Sequence, residues 1–219
     1  MDTFEVQHLK EPTEAQIEEV SDMCSRAFYE EITHKAILGG DWSLHPDFCR
    51  AVTRATVLEG ELYIVKSGNE IVATASWFGP DTYLFKTKEQ RALGYDEVFD
   101  KISHEAKYWN MHTSLEVLVK LKSELFSDEE KKKRWWLNNL VTKLGHEGKG
   151  YATALIDTFY DKIKGDGMLI GVAPAEEINV KKYMAMGFKK RGGSILPAQT
   201  GDFYVQIMSR EADREQKRS

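Results

Sequence analysis

The stretch GHEGKGYATALI, residues 145–156, is where the fold can be read. It joins the apolar run WWLNNLV, residues 135–141, to a helical pattern from Tyr151 to Lys164. Gly148 and Gly150 permit a tight turn with exposed backbone N–H groups. The helix beyond them leaves its first amides unpaired and turns the positive end of its dipole toward the loop. Lys149 adds positive charge, and Ala152 keeps the first helical turn small. These are the requirements of a phosphate or pyrophosphate cradle. Two glycines between a strand and a helix are also an ordinary connection, and the stretch alone leaves both readings open. It is not the phosphate loop of ATPases, because no Gly-Lys-Ser/Thr closes it. It is a poor dinucleotide fingerprint too: Thr153 takes the third glycine position, and residues 168–171 offer no acid for a ribose.

Working outward, Met168 to Ala173 reads as a buried strand and Glu177 to Met186 as a helix. Phe188 to Lys190 begins another strand, and Phe203 to Met208 alternates as a last one. Upstream, Glu61 to Val65 and Ile71 to Phe78 form a hairpin around Ser67-Gly68-Asn69. Phe4 to Leu9 is a short first strand. Thr13 with Gln16 makes a capping box for a helix whose apolar face runs to about Leu38, where Gly39-Gly40-Asp41 stops it. Pro46 opens a second helix to Leu58. Asp96 to Phe126 predicts one long amphipathic helix, with room for a break, and the charge run 127–134 a solvated loop or helix end. The pattern predicts an α/β (α+β mixed sheet) fold, a central mixed six- or seven-stranded sheet flanked by helices. One domain over residues 1–209 is expected, with a polar tail at 210–219 that frays.

The chain has 219 residues, with 30 Lys plus Arg against 35 Asp plus Glu, a formal charge of -5. That balance argues against nucleic acid as a partner over the whole surface. Cys24 and Cys49 are the only cysteines, too few for a disulfide framework or a four-cysteine metal site. A reducing, cytoplasmic location is the expectation. The start, Met1 to Leu9, does not read as a signal peptide, and no apolar run is long enough to span a membrane. His8, His34, His45, His104, His112 and His146 form no HExxH arrangement, so no metal is expected. Both cysteines read as core residues.

The segment Glu147-Gly148-Lys149-Gly150-Tyr151-Ala152 resembles the pyrophosphate-binding motif of the GCN5-related N-acetyltransferase (GNAT) superfamily. Its usual form is Gln or Arg, any two residues, Gly, any residue, then Gly or Ala; here Glu147 stands at the Gln/Arg position. Leu155 matches the apolar helix position that follows. Asn179, Tyr183, Gly187 and Phe188 resemble the superfamily's helix with an asparagine, a tyrosine and a Gly-Phe turn. The motif-level match covers about residues 135–190, and the impression is of a likeness to fungal members.

The resemblance implies a GNAT-like fold with a V-shaped splay between the strands 135–141 and 168–173. It implies acetyl-CoA as acyl donor, and transfer of its acetyl group to an amine by direct attack on the thioester. Backbone groups of Asn139, Leu140 and Val141 would hold the pantetheine arm, and the amides of Glu147, Gly148, Lys149, Gly150, Tyr151 and Ala152 the pyrophosphate. The Val141 N–H would steady the oxyanion. Tyr183 would be the general acid to the CoA thiolate, with Asn179 one helical turn away binding pantetheine or positioning water. The Glu147 carboxylate would repel a pyrophosphate unless it turns away or pairs with Lys143 or Lys149. His112 is a candidate base. Trp42, Phe78, Asp81 and Tyr83 fall in the regions that build the acceptor site. A small-molecule amine is the first expectation for the acceptor, a protein or peptide amine the second, and a non-catalytic acyl-CoA-binding module the alternative of another class. Oligomeric state stays open.

Overall fold

The computed structural model describes residues 3–211. In chain order these form β1 (Phe4–His8), α1 (Glu14–Ala27), α2 (Ile32–Ile37), a 3-10 turn (Trp42–Leu44), α3 (His45–Glu59), β2 (Glu61–Ser67) and β3 (Glu70–Phe78). An insertion follows, built of α4 (Lys88–Arg91), α5 (Tyr95–Lys101), α6 (His104–Tyr108), a π turn (Trp109–Thr113), α7 (Ser114–Leu125) and α8 (Asp128–Lys131). Then come β4 (Arg134–Thr142), α9 (Tyr151–Ile163), a 3-10 turn (Lys164–Asp166), β5 (Leu169–Val172), α10 (Glu177–Ala185), β6 (Lys189–Leu196) and β7 (Phe203–Glu211).

The strands make one seven-stranded sheet in the order β1-β2-β3-β4-β5-β7-β6, as the mixed-sheet reading predicts. Every neighbouring pair is antiparallel except β4 and β5. The two faces are told apart by side-chain parity. On one face Leu155, Ile156, Phe159 and Ile163 of α9 and Val180 of α10 pack on Tyr63, Trp77, Leu137, Ile170 and Met208. Phe159 stacks on Trp77 with ring centroids 4.0 Å apart, and Trp135 meets it edge-on at 5.1 Å. On the other face α1 and α3 cover Leu62, Ile64, Ile71 and Val141, and α7 covers Leu169, Val205 and Ile207. Truncating a fully buried aromatic such as Phe159 costs about 3–5 kcal/mol, so this layer is a principal support of the sheet.

Several elements depart from the sequence expectation. The helix expected to reach Leu38 stops at Ala27. Glu30 takes a positive φ of 63°, and Glu31 starts α2 afresh, its side chain accepting from His34 N. The long helix expected over 96–126, with room for a break, is interrupted once: Ile102 is extended and Ser103 caps α6 by accepting from Ala106 N, after which α6, the π turn and α7 run on without a gap. The charge run, expected as a solvated loop or helix end, forms a short helix of its own: Ser127 and Glu130 make a capping box at the start of α8, and Arg134 begins β4. Arg210, expected in the tail, lies in β7 opposite Ile170 and binds Asp157 at 2.6 Å. The remainder of the expected tail, 212–219, lies outside the described residues. No helix among the described residues is long and apolar enough to cross a membrane.

Candidate active site

The site begins where two parallel strands part. β4 and β5 pair only from Arg134–Leu169 to Trp136–Gly171. Beyond that point β4 stays with β3 as far as Thr142, opposite Ala73. β5 instead stays with β7: Val172 lies opposite Met208, and Gln206 N donates to Pro174 O at 2.9 Å. The two strands therefore diverge toward their C-terminal ends and leave an unpaired edge of β4. The loops that leave those ends lead into α9 and α10, so both helix starts crown the same end of the sheet. That is the crevice where open α/β sheets bind ligands.

A bulge sharpens the split. Ser76 faces Asn139 and Trp77 faces Leu137, which leaves Asn138 as the extra residue of β4. The bulge shifts the side-chain parity. Trp135 and Leu137 face α9 before it, Leu140 faces α9 after it, and Val141 turns to α1 and α3. Trp136 faces α7, with Lys122 Nζ 4.0 Å over its ring. Gly171 lies directly against Trp136: a Cβ there would fall 2.6 Å from the indole.

The same shift decides which amides face the open edge. Lys143 N donates to Val72 O at 2.9 Å, so Lys143 faces β3. Antiparallel pairs alternate, so Val141, opposite Thr74, also directs its N–H to β3. Leu140 and Thr142 carry the backbone groups that face the gap β5 leaves. The Val141 N–H, which the resemblance offers as oxyanion donor, thus points to β3, and the neighbouring Leu140 N–H faces the gap.

The glycine turn follows. Gly145, Gly148 and Gly150 take φ of 81°, 76° and 84°, a region that favours glycine. Gly150 is the N-cap of α9 and supplies no side-chain cap. Among the described residues, the amides from Gly148 to Ala152 find no acceptor, and the first bond of the helix runs from Ala154 N to Gly150 O. A Cβ at Gly148 or Gly150 would meet nothing within 4 Å, so the turn is open to an approaching group. Glu147 is exposed and forms no ion pair among the described residues; Lys143 pairs with Glu70 instead. Of the two alternatives for Glu147, pairing with Lys143 or Lys149 is absent among the described residues. Tyr151 is buried, its ring edge-on to Phe4 at 5.0 Å, which fixes the first turn of α9.

On α10, Asn179 and Tyr183 stand four residues apart on one face. Asn179 Nδ2 donates to Glu176 Oε2 at 3.3 Å. The half-buried Tyr183 packs on the α9 layer with its ring 5.3 Å from Phe188. Burial pushes its phenol well above the usual tyrosine range, so it stays protonated at neutral pH.

The remaining sequence candidates separate. Trp42 is half-buried, between Tyr29 at 5.4 Å and His45 at 4.9 Å. Phe78 is fully buried and packs beneath Gly60, so it is a core residue and not the lining of an open pocket. Asp81 is exposed, its carbonyl accepting from Lys86 Nζ. Tyr83 is exposed, with Lys86 Nζ 5.7 Å from its ring. His112 is exposed on the π turn, its ring tilted by 32° against that of Tyr108 with centroids 4.7 Å apart. The insertion does close against its neighbours: Trp109 Nε1 donates to Pro197 O at 2.5 Å, and Asn110 Nδ2 to Ile37 O at 2.8 Å. Leu196, Phe203, Ala36 and Trp109 form an apolar cluster there, with Ala175 just beyond β5 packed against it.

Sequence reasoning missed one cluster. His34, His45 and Cys49 are buried together, with His34 Nδ1 2.8 Å from His45 Nε2 and Cys49 Sγ 3.6 Å from the same atom. Burial pushes both imidazoles down to about 4 and the Cys49 thiol up to about 12. The only signal in the sequence was the four-residue spacing of His45 and Cys49 on one helix.

A mixed sheet whose single parallel pair opens over a glycine-capped helix is the fold of the GNAT acetyltransferases, and the chain has that fold. It aligns over 97% of its length with 99% of a histone acetyltransferase and related acetyltransferase from Corynebacterium glutamicum, at TM-score 0.63 and 14% identity. It aligns over 96% of its length with all (100%) of arylalkylamine N-acetyltransferase 2 from Aedes aegypti, at 0.62 and 13%. It aligns over 97% with 96% of an acetyltransferase from Salmonella typhimurium solved with its cofactor acetyl-CoA, at 0.54 and 9%. No family model and no curated protein matches the chain.

Proposed function

We propose that this chain transfers the acetyl group of acetyl-CoA to the amine of a small molecule. The observation that supports this most directly is the junction of an unpaired β4 edge with five acceptor-free amides at the start of α9. The amides of Gly148 to Ala152 bind the diphosphate, aided by the dipole of α9. The outward backbone groups of Leu140 and Thr142 take the pantetheine arm as a strand partner would, beside Asn139. A bound thioester supplies the activated acyl carbon; the chain orients it and stabilises the charge that develops.

The Leu140 N–H donates to the developing oxyanion, a contribution of about 10²–10³ in rate for one such donor. Tyr183 returns a proton to the departing sulfur. Its raised pKa is not a defect here, because a sulfur leaving in the same dry cleft also gains proton affinity. Asn179, one turn away, orients the arm or a water beside the sulfur. The acceptor amine, with a pKa near 10, must lose a proton before attack. His112 is exposed beside Tyr108, and the buried His34 and His45 are too weakly basic, so we assign this proton to water at the open strand end.

The closed contacts of Trp109 with Pro197 and of Asn110 with Ile37 favour a small acceptor over a peptide lying in a groove. Half-buried Trp42, with Asp81 and Tyr83 exposed beyond β3, remains the proposed acceptor side. The likeness to fungal members rests on the sequence alone, as do the single domain over 1–209 and the cytoplasmic location. An amine and peptide screen that follows thiol release from acetyl-CoA, with product mass, tests the reading. We expect one class of small amines to gain an acetyl group. Acetylation of peptides alone would replace the small-molecule acceptor, and thiol release with no acetylated product would remove the transferase.

A further inference from the structure

We propose that His34, His45 and Cys49 form a binding site for a thiophilic divalent cation, Zn²⁺ being the ion the donor set suits best. The site is independent of acetyl transfer. The three ligand atoms lie within 4.8 Å of one another, and all three residues are buried. His45 and Cys49 are one turn apart on α3, and His34 comes from α2 across the Gly39-Gly40 corner.

The distances can be compared with a tetrahedral zinc ion. Bond lengths of about 2.0–2.1 Å to nitrogen and 2.3 Å to sulfur give N–N edges of about 3.3 Å and N–S edges of about 3.6 Å. The observed Cys49 Sγ to His45 Nε2 separation is 3.6 Å. The His34 Nδ1 to His45 Nε2 separation is 2.8 Å, short by about half an ångström, which a small ring rotation supplies.

His45 Nε2 faces both His34 Nδ1 and Cys49 Sγ, so the lone pairs of two imidazoles and a thiolate can be turned to one shared point. A cation there accepts one lone pair from each ring and one from the thiolate. Binding releases the thiol proton to solvent, so the charge balances. The far side of His45 is prepared for this: its Nδ1 lies 3.4 Å from Ser25 Oγ, the hydrogen-bonded support that metal-bound imidazoles carry. The rings of Phe28, Phe48 and Trp42 wall the group at centroid distances of 4.7, 5.2 and 4.9 Å, and a water molecule completes the tetrahedron of a bound ion. A bound ion would clamp α2 to α3 beside Val141, because Cys49 packs in the same cluster as that residue.

The test uses the reduced, chelator-treated full chain. Co²⁺ titration should produce a thiolate-to-cobalt charge-transfer band that saturates at one ion per chain, and Zn²⁺ should displace it. Cys49→Ser should abolish the band and weaken Zn²⁺ binding at least tenfold, while Cys24→Ser should change neither. If the unaltered chain takes up no stoichiometric Zn²⁺ and shows no charge-transfer band, the proposal is wrong whatever the variants do. Persistence of the band in Cys49→Ser would place the ion elsewhere and overturn it equally.

Discussion

Leu140 and Tyr183 divide the chemistry between a backbone amide and a phenol, and each makes a separable prediction. Exchanging the Leu140 amide for an ester removes one N–H without changing a side chain. Turnover should fall about 10²–10³-fold with little change in fold. The same exchange at Val141 removes a bond to β3 and should show mainly in stability; equal losses of turnover at both positions would refute the parity argument. Tyr183→Phe should lower kcat about 10²-fold or more and leave acetyl-CoA affinity nearly unchanged. A variant with unaltered kcat would strip Tyr183 of its role as acid. At this scale the sequence was informative about residue types and less so about direction. Gly150 stands out locally, between a strand and a helix, whereas Tyr183 is singled out only by the resemblance. Which of the Leu140 and Val141 amides faces the gap is not legible, because the extra residue, Asn138, carries no mark in the sequence; the bulge shows only in the register with β3.

Among the elements, the junction of β4 with β5 has the sharpest structural requirement. Gly171 is not in a left-handed conformation, so its need for glycine is steric: Trp136 lies where a Cβ would be. Gly171→Ala should therefore destabilise the fold by about 1–3 kcal/mol, read as a lower denaturant midpoint. A midpoint equal to that of the parent would mean that the indole is free to move and does not hold the vertex of the splay. Strands and the α9 helix were legible because alternation and helical periodicity are local signals. The breaks were not. Apolar residues keep their helical spacing across Phe28–Glu31 and across Ile102, so the pattern looks continuous where the backbone turns. Glu31 and Ser103 are caps that can be recognised afterwards, but each lies within a run that reads as helix.

In the whole molecule, residues distant in sequence meet, and here the sequence alone was least informative. The order hairpin, strand, glycine turn, helix, strand, helix was enough to place a mixed sheet. The splay entered only through the resemblance, since no residue in β4 or β5 announces where pairing stops. The closing of the insertion over α2 and the β6–β7 turn rests on Trp109 with Pro197 and Asn110 with Ile37, pairs 88 and 73 residues apart. The gathering of His34, His45 and Cys49 depends in the same way on the corner between α2 and α3.

Acetyl transfer by this chain depends on a turn of unpaired amides gripping a diphosphate at the mouth of the splay. Calorimetric titration with acetyl-CoA tests it most directly, run on the parent chain and on Gly150→Glu. The substitution places a carboxylate, and a side chain at a φ of 84°, at the head of α9. The expected result is saturable binding of one acetyl-CoA per parent chain and none to a Gly150→Glu variant whose circular dichroism shows it folded. No binding by the parent chain, or equal affinity in the folded variant, would contradict the account.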